Sequence, residues 1–206
     1  MANFTDLTGL VSVASASTAA FMLLPGIAGI TKPRLAVLLG AVLVLTLIPF
    51  GALPLAGYLR GAFGDLSITT LVLVWCALLR PWFACASEDI KTGRALLVLI
   101  ALAGLVFYPL ALGMTAFDPY RLGYGDPQFV AELLLVALAA WLWKHHLIAA
   151  CIVLATLVWA VGWYESGNLW DYLLDPFIVL YAWFALTLRG VRVLLRHGKA
   201  RHSRAG

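Results

Sequence analysis

The chain has 206 residues, of which 63% are hydrophobic and only 12% are charged. Soluble domains contain about 45–50% apolar and about 25% charged residues, so this composition excludes an ordinary soluble domain and predicts a membrane protein. The formal net charge is +4, but this excess does not indicate nucleic-acid binding. The C-terminal basic stretch lacks the interleaved aromatic residues on which bases would stack.

Apolar segments long enough to cross a hydrocarbon core of about 30 Å follow one another along the chain. Seven membrane-spanning helices are predicted, at 9–30, 35–58, 66–84, 95–117, 127–143, 147–164 and 169–188. Short turns separate them, and all but the turn 144–146 contain glycine, proline or aspartate. The sequence therefore predicts an all-α, polytopic transmembrane helix bundle that forms one integral membrane domain over 1–206, including a basic tail over 189–206.

The basic residues fall mainly on one side of this predicted bundle. With seven spans, twelve of the 14 Lys and Arg lie on one side, and only Arg60 and Arg121 lie on the other. Because cytoplasmic loops carry the excess of Lys and Arg in membrane proteins, the N-terminus is predicted outside and the C-terminus in the cytoplasm. This is the pattern of a multi-pass protein of a bacterial inner membrane.

The tail after the last predicted helix is basic and lies on the cytoplasmic side. Such a stretch is attracted to anionic lipid by about 1 kcal/mol per basic residue. Contact with anionic lipid is therefore predicted for Arg189, Arg192, Arg196, Lys199, Arg201 and Arg204.

Three carboxylates are predicted within the apolar helices. Glu132 is eleven residues before Trp143, or about 16 Å along a helix. Asp175 is fourteen residues before Arg189, or about 21 Å, and Asp171 would share its helix face. An intramembrane carboxylate is costly unless it is paired, protonated or in contact with water. We therefore expect an outward-opening cavity lined by these three carboxylates.

Other polar residues of the outer side would form the rim of that cavity. These rim residues are Arg60, Asp65, Asp118, Arg121 and Asp126. A structural interpretation is equally open for part of the set, because aspartate before proline is typical of a helix N-cap. Asp126 precedes Pro127 in this way, and Asp175 precedes Pro176.

Several chemistries are excluded by residues that the chain lacks. A retinal Schiff base would need a lysine in the last helix, and 169–188 contains none. Axial haem ligation is not predicted, because all four histidines lie at the cytoplasmic edge or in the tail. The Gly-x-Gly-Asp match at 123–126 lies in a loop before a proline, unlike the helical aspartate of an intramembrane protease. No catalytic residue, metal or cofactor is therefore predicted.

The residues favour a non-enzymatic function over an enzymatic one. We expect an accessory component that binds lipid or a partner at the outer, periplasmic face, with membrane lipids and another membrane protein as partners and no nucleic acid. The alternative is a membrane-embedded enzyme or transporter that uses Glu132, Asp171 and Asp175 as acid–base, cation-binding or proton-coupling groups. That alternative requires at least two carboxylates to converge on one cavity.

Overall fold

Apolar runs interrupted by proline and glycine form helices along nearly the whole chain. The computed structural model describes residues 4–22, 24–83 and 87–202. Nine α-helices lie in these ranges: α1 (Phe4–Phe21), α2 (Lys32–Leu47), α3 (Leu55–Phe63), α4 (Ile68–Leu79), α5 (Ser87–Ala111), α6 (Pro127–Leu142), α7 (His146–Ala160), α8 (Leu169–Leu173) and α9 (Pro176–His202). Two 3₁₀-helices, Ile27–Gly29 and Pro119–Gly123, lie in the connections. The predicted all-helical class is confirmed.

The second predicted span, 35–58, is interrupted. The helix α2 ends at Leu47, and a hairpin of two short antiparallel strands, β1 (Pro49–Phe50) and β2 (Leu53–Pro54), separates it from α3. Proline cannot donate the backbone hydrogen bond that a helix needs, and the segment contains two prolines. The prediction of one unbroken helix is therefore wrong here.

The last predicted span, 169–188, is two helices rather than one. The helix α8 ends at Leu173, and α9 begins at Pro176, with Leu174 in an extended conformation between them. The residue before a proline disfavours the helical conformation, so the helix is interrupted at Asp175. Asp171 and Asp175 therefore do not share one helix face, which corrects the expectation from their spacing.

Two helices in the described residues are long and apolar enough to cross a membrane. They are Gly93–Ala111 within α5 and Pro176–Val193 within α9. Three shorter apolar helices coincide with α4, α6 and α7. A bundle of seven membrane spans is therefore not confirmed by helix length and composition.

The helix α6 buries small residues and exposes large apolar ones. In α6, Ala137 and Ala140 are buried, whereas Leu134, Leu135 and Leu138 are exposed. The face of α6 that contains the two alanines packs against α7. Small residues allow close approach between helices, as they do at helix interfaces in lipid. The exposed surface of α6 is therefore apolar, because its large side chains lie on the side away from this contact.

Contacts between distant segments define two ends of the molecule. The acidic end comprises the start of α1 and the connections 60–67, 112–126 and 161–175, which hydrogen bond to one another. The basic end comprises the connections 24–31, 80–83 and 143–145 together with the first described turns of α2 and α5. An apolar cluster of Leu35, Leu39 and Leu78 joins α2 to α4 near the basic end.

Candidate functional site

Asp175 is a buried carboxylate at the junction of α4 and α9. It is 5% exposed, and its Oδ2 accepts hydrogen bonds from Ser67 N (2.9 Å), Ser67 Oγ (2.7 Å) and Thr70 Oγ1 (2.5 Å). Its Oδ1 accepts a hydrogen bond from Ile178 N at 2.9 Å, so Asp175 caps α9. Helix N-termini carry a partial positive charge, and this one carboxylate compensates two of them. The capping interpretation of Asp175 is thus the one that its hydrogen bonds support.

Asp171, in α8, is held by two hydroxyl groups. Tyr120 Oη donates to both carboxylate oxygens, at 3.2 and 3.0 Å, and Ser166 Oγ donates at 2.5 Å. Burial, and then the negative charge of Asp171, raises the pKa of the Tyr120 phenol above its ordinary value. The phenol therefore remains a hydrogen-bond donor at neutral pH, and Asp171 keeps neutral donors around it.

Asn168 fixes the connection that carries Asp171. Its Oδ1 accepts a hydrogen bond from Trp170 N at 2.9 Å, which caps α8, and its Nδ2 donates to the Tyr120 carbonyl at 2.9 Å. The indole of Trp170 donates to the Pro119 carbonyl at 2.9 Å. A Cβ at Gly123 would overlap the Asn168 side chain, so glycine is required for this close approach. The two connections thereby hold Tyr120 beside Asp171.

The helix α1 is hydrogen-bonded to the same end of the molecule, at the connection 161–175. The hydroxyl groups of Ser12 and Tyr164 lie 3.0 Å apart and share a hydrogen bond. Thr8 Oγ1 donates to the Trp163 carbonyl at 2.8 Å, and Tyr172 Oη accepts a hydrogen bond from Tyr164 N at 3.0 Å. Polar side chains of α1 therefore anchor this helix to the connection 161–175.

Arg60, near the end of α3, forms ion pairs with two aspartates. Its Nε and Nη2 bind Asp65 at 2.5 and 3.0 Å, and its Nη1 binds Asp6 at 3.0 Å. The hydrogen bond to Asp65 is the main cause that raises the pKa of Arg60 above its ordinary value. A Cβ at Gly9 would overlap both Arg60 and Asp65, so α1 leaves a gap for this pair. One cation thus binds two carboxylates.

A cavity of about 550 Å³ opens beside these groups. Its polar lining residues supply four carboxylates and four hydroxyl groups: Asp65, Glu165, Asp171, Asp175, Tyr108, Tyr120, Tyr164 and Ser166. Its apolar lining residues are mainly Phe107, Ala111, Leu112 and Leu174. The described residues that line it include neither Lys nor Arg. The lining therefore combines carboxylates and hydroxyl groups with apolar side chains.

Glu132 does not line this cavity. It lies in the second turn of α6, about 8 Å from the start of the helix, where it is exposed and accepts a hydrogen bond from Gln128 Nε2 at 3.0 Å. The buried face of α6 contains Phe129, Ala137 and Ala140, and Glu132 lies outside that face. The prediction that Glu132 lines this cavity is therefore wrong, whereas Asp171 and Asp175 do line it.

The other predicted rim residues serve the backbone or are exposed. Asp118 Oδ1 accepts a hydrogen bond from Tyr120 N at 2.9 Å and caps a 3₁₀-helix. Asp126 Oδ1 accepts one from Phe129 N at 2.9 Å and caps α6, as the sequence pattern indicated. Arg121 is exposed. Of the predicted rim, Asp65 lines the cavity, and Arg60 reaches it through its ion pair with Asp65.

The predicted basic tail is largely helical. Five of the six residues assigned to anionic lipid lie within α9: Arg189, Arg192, Arg196, Lys199 and Arg201. The sixth, Arg204, lies outside the described residues. Lipid contact by these side chains stays a prediction.

Sequence reasoning missed several residues that hold the acidic end together. They are Ser67, Thr70, Tyr120, Ser166 and Asn168. One of them carried a readable signal, because a serine directly before the apolar run 68–79 is typical of a helix N-cap. The others are recognised only through partners that are far away in the chain.

The arrangement can accept a positively charged group at its carboxylates and an apolar group against Phe107 and Leu112. Within the described ranges, no group of His, Cys, Asp and Glu is placed to hold a metal ion. The hydroxyl groups around Asp171 and Asp175 donate to these carboxylates, an arrangement that fixes side chains in position. The chain matches no protein-family model, no curated protein and no solved structure.

Proposed function

We propose that the chain is a multi-pass integral protein of a bacterial inner membrane, with seven membrane-crossing segments and the acidic end outside. The outward-facing apolar side chains support this position. In α9, Ala182 is fully buried, whereas Leu180 and Phe184 are about 58% and 64% exposed. Apolar surface on this scale marks contact with lipid or with another protein. The twelve-to-two distribution of basic residues supports the orientation.

At the outer face, the proposed function is the binding of an amphiphile that carries a cationic group, such as an amine-bearing lipid head group. The observation that carries this proposal is the cavity whose lining combines carboxylates with apolar side chains. Binding sites for small molecules are concave and mainly apolar, with a few placed polar groups. The protein would act there as an accessory component that holds a lipid and has no catalytic role.

Asp171 is the side chain proposed to meet the cation. Its partners Tyr120 and Ser166 are neutral donors, so an ammonium group would add the charge-assisted hydrogen bonds that these hydroxyls do not supply. Asp175 is a weaker candidate, because donors already surround both of its oxygens. Asp65 is bound by Arg60. The charge of Asp171 is therefore expected to govern affinity.

Binding is tested with a short-chain amine-bearing phospholipid, dihexanoyl phosphatidylethanolamine, and its phosphatidylglycerol counterpart as the anionic comparison. Isothermal titration of the detergent-solubilised protein should show preference for the amine. Asp171→Asn should weaken binding by about tenfold, the scale of one hydrogen bond to a charged group. Glu132→Gln is the matched control, because it removes a carboxylate outside the cavity. Equal binding of both lipids, or equal weakening by the two substitutions, would refute the proposal.

Topology is tested by cysteine accessibility. In a chain without its native cysteines, single cysteines at Gly61, Arg121 and Gly167, which are exposed positions of the acidic end, should react with an impermeant reagent from outside. A cysteine at Lys144 should react only after the membrane is opened. Labelling of Lys144 from outside, or of only one or two of the other positions, would contradict the proposed arrangement.

A second candidate function is a proton-coupled transporter or membrane-embedded enzyme. One observation favours it, which is that Asp171 and Asp175 line the same cavity. Titration of the amine lipid in buffers of different ionisation enthalpy distinguishes the two functions. If the protein only binds the lipid, no proton is exchanged with the buffer on binding. If lipid binding is coupled to a proton at Asp171, about one proton per bound lipid is exchanged with the buffer, and Asp171→Asn would remove that exchange.

A further inference from the structure

A second cavity, away from the acidic end, is an open groove along α4. It has a volume of about 540 Å³ and lies between α4 and α7. Its walls are apolar for nearly the whole length, with Leu71, Trp75, Cys76 and Leu79 on α4 and Val158 on α7. Trp75 and Leu79 are each 43% exposed. The groove is therefore a long apolar surface that other parts of the described chain leave uncovered.

The length of the groove matches one leaflet of a bilayer. The helix α4 has 12 residues, which correspond to about 18 Å at about 1.5 Å per residue. Half of a hydrocarbon core of about 30 Å is about 15 Å. An extended acyl chain that spans one leaflet would therefore lie along the groove from one end of α4 to the other.

Charge marks one end of the groove. Arg80, the C-cap of α4, lines it at the basic end and is exposed, and the other described lining residues are uncharged. The opposite end is formed by Ile68 and Trp163. Arginine binds phosphate through two parallel hydrogen bonds. The groove thus offers an apolar channel with a phosphate-binding group at a single end, which is complementary to a phospholipid and sets its direction.

We infer that the groove binds one acyl chain of an anionic phospholipid of the cytoplasmic leaflet, with the lipid phosphate at Arg80. The inference depends on the proposed membrane position of the chain, since Arg80 must lie at the cytoplasmic surface. It does not depend on the acidic cavity, which is lined by other residues and is proposed to bind a cationic amine group rather than a phosphate.

Photo-crosslinking tests this site in the full chain reconstituted into phosphatidylcholine vesicles. The probes are phosphatidylglycerol and phosphatidylcholine, each with a diazirine near the middle of one acyl chain, and adducts are mapped by peptide mass spectrometry. We expect phosphatidylglycerol adducts to concentrate within 68–83. Arg80→Gln should lower their yield by about tenfold, the scale of one hydrogen bond to a charged group. Cys76→Trp, which fills the groove, should lower the yield from both lipids.

Arg94→Gln is the matched control, because Arg94 is an exposed arginine of the basic end that does not line the groove. Its adduct yield should equal that of the unmodified chain. Equal labelling by the two lipids, an unchanged yield in Arg80→Gln, or adducts spread evenly over all exposed helices would overturn the inference. If the chain fails to float with the vesicles, the proposed membrane position fails as well. Amine-lipid binding at the acidic end, measured on the same Arg80→Gln protein, should be unchanged.

Discussion

The two ends of the molecule hold their charges in opposite ways. At the acidic end, Asp6, Asp65, Asp171 and Asp175 all accept hydrogen bonds from other side chains, and Asp175 also accepts them from backbone N–H groups. At the basic end, Arg34, Arg80, Arg94 and Lys144 are exposed. These four carboxylates are therefore part of the packing, whereas the four cations of the other end project from it.

This difference indicates two kinds of electrostatic contribution. A half-buried carboxylate must find its donors within the protein, so its position is fixed by contacts at particular distances. An exposed cation in water needs no such partner and interacts over a longer range, for example with anionic lipid. We therefore expect the acidic end to determine stability and ligand binding, and the basic end to determine orientation.

The substitution Asp175→Ala is expected to have the largest effect and is the strongest test of this difference between the two ends. The substitution leaves the donors of Ser67, Thr70 and Ile178 buried without their acceptor, and each unsatisfied group costs about 1–3 kcal/mol. The free energy of unfolding should fall by about 3 kcal/mol, measured by reversible denaturation in mixed detergent micelles. Asp118→Ala, which removes a cap at the protein surface, should cost about 1 kcal/mol. Equal effects would mean that Asp175 does not join α4 to α9.

Gly123→Ala should be the next largest change. The new methyl group would overlap Asn168, and overpacking of a close contact costs about 1–3 kcal/mol. We expect a loss near 2 kcal/mol together with weaker binding of the amine lipid, because Tyr120 would shift from Asp171. Gly167→Ala is the control, since a Cβ there meets open space. Similar unfolding curves for the two variants would contradict the packing described.

The substitution Arg60→Lys separates the contribution of charge from that of geometry at the acidic end, because it keeps the positive charge and removes the forked guanidinium. A lysine cannot reproduce the paired hydrogen bonds to Asp65 together with the bond to Asp6. The expected loss is about 1 kcal/mol, because the guanidinium is partly exposed and solvent screening reduces its contribution. The measurement is the same unfolding experiment, repeated at high salt, where the difference from the unmodified chain should shrink.

The smallest effect is expected at the basic end. Arg34→Gln should change the free energy of unfolding by less than about 0.5 kcal/mol, as is usual for exposed side chains. Neutralising Arg34 and Arg94 together should still leave stability nearly unchanged, while it increases the fraction of wrongly oriented chains in the cysteine-accessibility assay. A stability loss comparable with that of Arg60→Lys would show that charged side chains at the two ends contribute similarly to the free energy of unfolding.

The sequence allowed the helices to be predicted better than the site. Composition and apolar runs indicate helices because each run must satisfy its own backbone hydrogen bonds, and Asp126 before Pro127 signalled a helix start that the structure contains. Counting residues along a helix gave an approximate depth for Glu132 but not the direction of its side chain. The partners of Asp175 are more than a hundred residues away, at Ser67 and Thr70. A single sequence does not identify such pairs.

The continuity of α9 has a mechanical consequence. The helix runs from Pro176 to His202 as 27 residues, or about 40 Å at about 1.5 Å per residue, which exceeds a hydrocarbon core of about 30 Å. Its first turn is fixed to α4 through Asp175, and the structure contains no break along its length. A rotation or shift imposed on that first turn would therefore act on the basic residues at the far end through one uninterrupted helix.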